Sequence, residues 1–125
     1  MPALASQVMA GGFSAGQATA LNGTLKTAIS AAGTTLATAT ALTNATNLVS
    51  TAAAGAGVAL PTAAAIGDTV YVFNDGSGNT MVVYPHKSTA QINNVTAGSG
   101  INLANNTACY FTMISATRWI ANMSA

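Results

Sequence analysis

Charge is almost absent from this chain. Only 4% of its 125 residues are charged, against about 25% in ordinary soluble domains. The charged positions are Lys26, Asp68, Asp75, Lys87 and Arg118, and there is no glutamate. A net charge of +1 leaves no clustered Lys and Arg to meet a phosphate backbone, which argues against nucleic acid as a partner. Colloidal solubility usually rests on charge of either sign. So neutral a chain is expected to work as part of a larger assembly rather than as a free, concentrated monomer.

Other absences narrow the chemistry. With one cysteine, Cys109, no intrachain disulfide can form; in the apolar run ACYFTMIS it reads as a small buried hydrophobe. His86 is the single histidine, and Asp68, Asp75 and Cys109 do not stand at metal-motif spacing from it. A Ser-His-Asp triad is compositionally possible, but nothing resembles a nucleophile elbow. Asp75, in Asn-Asp-Gly-Ser, reads as a turn residue, Asp68 as an Asx-turn at a strand start, and His86 as a structural residue at a strand exit. The sequence therefore predicts no catalytic residue, no metal and no cofactor. The start, MPALASQVMAGG, lacks the basic and apolar regions of a signal peptide. The Ala-rich stretch 52–65 is interrupted by Gly55, Gly57 and Pro61, so no membrane span is predicted.

What is present divides the chain in two. Residues 1–30 set Leu4, Val8, Phe13, Leu21, Leu25 and Ile29 among Gly, Ala and Gln. Ser14 and Gln17 have capping-box spacing, and Leu21, Leu25 and Ile29 fall at i, i+4 and i+8, one stripe of a short helix. Asn22-Gly23 weakens that helix. This reads as an attachment arm with one or two helical turns, whose apolar side chains are buried on a partner.

Residues 31–125 read as a mainly β domain, a small sandwich or barrel. Strands are predicted over 35–43, 47–53, 57–60, 68–74, 80–84, 91–93, 100–103, 108–115 and 117–122, separated by Gly, Asn and Pro turns. In VYVFNDGSGNTMVVYPH a turn rich in Gly and Asn joins two apolar runs, which predicts a hairpin. Val70 and Val72 should share a packed face with Val82 and Tyr84. Yet Tyr71 and Phe73, on the opposite side, are apolar as well, whereas a half-buried strand should alternate. A strand apolar on both faces needs two coverings. A domain of this size buries only about two-thirds of its unfolded surface, and oligomerisation is a common remedy. The expected oligomer core comprises Val70, Val72, Phe73, Tyr84, Phe111 and Trp119; the alternative is an ordinary two-layer sandwich that covers both faces internally.

The residues also carry a resemblance. The order TTLATATALTNATNLVSTAAAGAGVALP, GDTVYVFNDGSGNTMVVYP, INNVTAG, ISATRWIA resembles a module of small structural proteins of tailed bacteriophages, found in head fibres, capsid decoration (cement) proteins and tail-fibre ends. The matches are Ser50 to Pro61, Gly67 to Pro85, Ile92-Asn93 and Ser115 to Ala121, and they span roughly residues 31–125. Gly12 to Gly16 is similar to the Gly-Leu/Ile-Ser-x-Gly start of many members. His86-Lys87 departs from the pattern, where members often carry a second Pro or a Gly. The resemblance implies a virion protein that oligomerises, commonly as a homotrimer, and does not itself distinguish capsid from tail; the capsid surface is the expected place, with the major capsid protein or another virion protein as partner. A receptor- or glycan-binding module of a tail fibre is the alternative, with Asn93, Asn94, Asn105 and Asn106 at loop ends as its candidate contacts.

Overall fold

The structure, a computed structural model, describes residues 25–75 and 78–124. Ten strands form within them: β1 (Leu25–Ser30), β2 (Thr40–Ala41), β3 (Thr46–Thr51), β4 (Gly57–Ala59), β5 (Thr69–Asn74), β6 (Met81–Tyr84), β7 (Gln91–Ile92), β8 (Ile101–Leu103), β9 (Thr107–Ser115) and β10 (Arg118–Met123). The chain is mainly β, and no helix occurs among the described residues. Leu4, Val8, Phe13 and Leu21 lie outside them, as does the capping box.

Two sheets share one core. The six-stranded sheet runs β1-β3-β5-β9-β10-β7, and the four-stranded sheet runs β2-β4-β6-β8. From β1 to β6 the chain alternates between them, and within each sheet successive strands pair in parallel. Thr46 pairs with Tyr71 and Gly57 with Val82, the same offset in both sheets. Each β-strand pair is thus one coil of a two-sided solenoid, stacked on the coil before it. After β6 the winding stops. β8 runs antiparallel to β6, and the β9–β10 hairpin adds antiparallel to β5. A solenoid-like winding with an antiparallel close replaces the expected sandwich or barrel.

The core between the sheets takes Val49, Val70, Val72, Cys109, Phe111, Met113 and Trp119 from one side and Leu42, Val58, Leu60, Met81, Val83 and Leu103 from the other. Parallel strands enclosed on both faces need no polar alternation. All of β4 is accordingly buried.

Amide side chains tie coil to coil. Asn47 Nδ2 donates to the Tyr71 carbonyl at 3.2 Å, Asn79 Nδ2 to Ala52 at 2.9 Å and Asn74 Nδ2 to Leu103 at 2.8 Å. Stacked coils leave carbonyls at every corner, and buried carbonyls need donors. Asn supplies them without charge.

Three expectations need correction. Leu25–Ser30, placed in a helical arm, is a strand paired in parallel with β3 and belongs to the β domain. Leu25 is 66% exposed and Ile29 6%, so they share no stripe. One turn and a half of helix is marginal in water, and β3 offers a partner. Second, β5 and β6 are not a hairpin, because they lie in different sheets. Face parity therefore does not carry through the turn: Met81 and Val83 point into the core, while Val82 is half-buried. Third, Val70, Val72, Phe111 and Trp119, expected in a shared oligomer core, are covered by the chain's own two sheets. Tyr84 is buried as well, against the outside of its sheet. A Cβ on Gly57 would come within 2.5 Å of its ring, and its hydroxyl donates to the Thr34 carbonyl at 2.8 Å.

Candidate functional site

With the core closed and Tyr84 lying over part of the four-stranded sheet, the outer face of the six-stranded sheet remains. Side chains alternate on a strand, so the register fixes what this face presents. Thr46, Tyr71, Tyr110 and Asn122 form one row across β3, β5, β9 and β10, and Leu48, Phe73 and Ala108 form a second. Thr69, Thr112 and Ile120 form a third. Ile114 is 49% exposed and Ile120 38%. Tyr71, Phe73, Tyr110 and Leu48 are half-buried.

These rows are held in place. The Tyr71 and Tyr110 rings sit 4.9 Å apart at 57°, a tilted cross-strand pair that fixes both rings. The hydroxyls of Thr69 and Thr112 bond each other at 3.1 Å. No row contains a charged residue. Such a face, aromatic and aliphatic side chains mixed with threonine hydroxyls and the Asn122 amide and no charge in these rows to repel a neighbour, has the composition of a contact surface. Phe73 is the one member of the expected oligomer core that reaches it.

The polar candidates are dispersed around the fold. Asp68 Oδ2 accepts the Ala65 N–H at 2.9 Å, and its carbonyl accepts that of Met113, which makes it a turn anchor beside β5. Asp75 is exposed, and its own N–H donates to the Val49 carbonyl at 2.8 Å. His86 accepts the indole N–H of Trp119 at its Nδ1, 2.8 Å away. Burial lowers the imidazole pKa, and the neighbouring Lys87 lowers it further, against an opposing backbone hydrogen bond at Ala116. A cleft of about 300 Å³ lies beside it, lined by Ala64, Ala65, Ile66, Lys87, Met113 and Ala116. Cys109 is buried, and desolvation pushes its thiol up to about 11. Such a thiol is no nucleophile near neutral pH.

Asn93, Asn94 and Asn105 are engaged within the chain. Their Oδ1 atoms accept from Ala121 N–H at 2.9 Å, Arg118 at 2.6 Å and Gly78 N–H at 3.2 Å. Asn93 and Asn106 hold φ at 52° and 62°, a conformation Asn tolerates better than most residues. They are turn formers here. Among the described residues no group of three His, Cys, Asp or Glu could hold a metal ion, and no helix is long and apolar enough to cross a membrane.

Of the expected partner-binding residues, the structure places Leu25 on the exposed start of β1 and Ile29 in the core. Leu48, Ile114 and Ile120 were not singled out from the sequence. The available signal was the run TACYFTMIS, apolar at both parities, which marks β9 as covered on two sides. Comparison with protein-family models and with curated proteins finds no match for this chain.

Proposed function

We propose that this chain is a non-enzymatic structural protein of a tailed-bacteriophage virion, which decorates or stabilises the capsid as a cement or head-fibre protein. The observation that supports this reading is the uncharged apolar outer face of the six-stranded sheet, on a chain with almost no charge elsewhere. The motif order described above supports it independently. In this reading the subunits associate as a homotrimer through that face, with Phe73, Tyr71, Tyr110, Ile114 and Ile120 in the contact. An interface of about 1,000 Å², at roughly 25 cal/mol per Å² of apolar area, is large enough to hold such an assembly. The segment preceding β1 acts as the attachment arm, with Phe13 as its anchor, since a buried aromatic in a pocket is the usual hot spot.

The test uses exposed positions, so that folding is spared. Ile114→Lys with Ile120→Lys should leave the circular-dichroism spectrum unchanged and convert the oligomer to a monomer in analytical ultracentrifugation. Purified protein should also bind phage capsids that lack their decoration. A wild-type protein that sediments as a monomer at every concentration, and binds no capsid, overturns the proposal.

A further inference from the structure

Among the described residues the stack begins at β1, the edge of the six-stranded sheet, and β2, the edge of the four-stranded one. Leu25 at the start of β1 is 66% exposed. A cleft of about 200 Å³ lies between the two strands, with Ile29 and Leu42 in its wall. The end coil of a solenoid needs a cover, because its edge has no neighbour.

The sequence holds a segment of matching period. Leu25 pairs with Thr46 and Lys26 with Asn47, an offset of 21 residues from coil to coil. At that same offset residues 4–24 (LASQVMAGGFSAGQATALNGT) repeat residues 25–45 (LKTAISAAGTTLATATALTNA) at seven positions. Alanine matches carry little in so Ala-rich a chain. Gly12/Gly33, Thr19/Thr40 and Leu21/Leu42 carry more, because each falls where the structure sets a demand. Gly33 holds φ at 73°, and a Cβ on it would strike Thr38. The Thr40 hydroxyl donates to the Ser30 carbonyl at 2.6 Å, and Leu42 is a core residue. Leu4 repeats Leu25, and Val8 keeps the apolar character of Ile29, the core residue of β1. A helix has no use for this offset, since its neighbours lie three or four residues apart.

We infer that residues 4–24 form one more coil of the solenoid, docked on β1 and β2 in the register of this repeat. Residues 4–9 pair in parallel with β1 and residues 19–20 with β2, and Val8 and Leu21 close the core over Ile29 and Leu42. Phe13 takes the place of Thr34, which is exposed at a corner, and so stays available for the attachment proposed above. The docking itself does not depend on that proposal. The added coil has one neighbour and four glycines. It therefore opens before the rest of the fold, and the main melting transition does not report on it.

Cysteine pairs test the register in the full-length protein, where Cys109 is buried and unreactive. Leu4→Cys with Leu25→Cys sets two thiols on paired positions about 4.8 Å apart, within reach of a disulfide. Mild oxidation should close that bridge within one chain. Val8→Cys with Leu25→Cys is four residues, about 13 Å, out of register, and should close about tenfold more slowly. Adding Leu21→Asp to each pair buries an unpaired charge if the coil docks. It should remove the difference in rate and leave the circular-dichroism signal of the β domain in place. In the unmodified protein, carbon chemical shifts should mark residues 4–9 as strand. The inference is overturned by equal closing rates in the two pairs, by a preference that survives Leu21→Asp, or by helical shifts over residues 4–9. Disulfide-linked dimers in place of the intrachain bridge would overturn it too, by giving the head of the stack to a second copy.

Discussion

The indole N–H of Trp119 points at His86 Nδ1, which fixes the neutral imidazole as the Nε2–H tautomer. Protonation would place a second N–H against the first. It would also bring a charge into a partly desolvated site beside Lys87. Burial foremost, and Lys87 next, hold the folded pKa below the ordinary value of 6.5. A depressed folded value means that the unfolded chain takes up the proton more readily. The stabilisation is therefore complete above about pH 6.5 and is lost as pH falls through the folded value. The melting temperature should be level near neutrality and fall on acidification below that point. His86→Gln keeps an acceptor for the indole and cannot titrate, so its melting curve should be flat across the same window. An identical acid slope in both proteins would remove His86 as the cause. Cys109 gives a second expectation at this scale. With its thiol buried and pushed up to about 11, almost no thiolate exists at pH 8. A chromogenic disulfide reagent should label it only after denaturant is added, and rapid labelling of native protein would contradict its placement.

Strands were the legible elements. The segments beginning at Asn47, Gly57, Asp68, Thr80 and Ala108 match β3, β4, β5, β6 and β9 closely, because Gly, Asn and Pro mark their ends and β-branched residues fill them. Partner and direction were not legible. A period of two is common to parallel and antiparallel strands, so nothing in VYVFNDGSGNTMVVYP tells a hairpin from a crossing between sheets. The repeat offset that distinguishes them is carried by two coils of unlike composition, AAAGAGVALP and DGSGNTMVVYP. The stretch TLATATALT misled for a different reason. Its first half is a turn, in which Thr38 N–H donates to the Thr35 carbonyl at 3.2 Å and the two hydroxyls bond at 2.8 Å. Threonine satisfies backbone groups locally as readily as it forms strand. Stacking shows its steric limit at Gly57. Any Cβ there must displace the Tyr84 ring and with it the bond to Thr34. Gly57→Ala should cost about 1–3 kcal/mol in urea unfolding, whereas Tyr84→Phe, losing only the hydroxyl, should cost about 1 kcal/mol. If Gly57→Ala were as stable as the parent, the ring could not lie over that backbone.

For the whole molecule, the main question is where the folded unit starts. The sequence puts the boundary after residue 30, by the apparent helical stripe. In the structure β1 already belongs to the stack: Leu25 pairs with Thr46 and Lys26 with Asn47, and Ile29 sits in the core. Two truncations separate these views. Removal of residues 1–24 leaves every described strand intact, so the protein should keep its melting temperature and, under the proposed function, its oligomeric mass, while losing attachment to capsids. Removal of residues 1–30 takes away β1 as well. That uncovers the edge of β3 and withdraws Ile29 from the core. Loss of one buried Ile costs about 2–5 kcal/mol, a large share of the 5–15 kcal/mol that holds a domain of this kind. The longer truncation should therefore melt well below the shorter one, and its β3 amides should lose hydrogen-exchange protection. Equal melting temperatures would place β1 outside the cooperative unit and restore the boundary at residue 30. Undiminished capsid binding by the shorter truncation would assign attachment to the outer face of the six-stranded sheet instead of the arm.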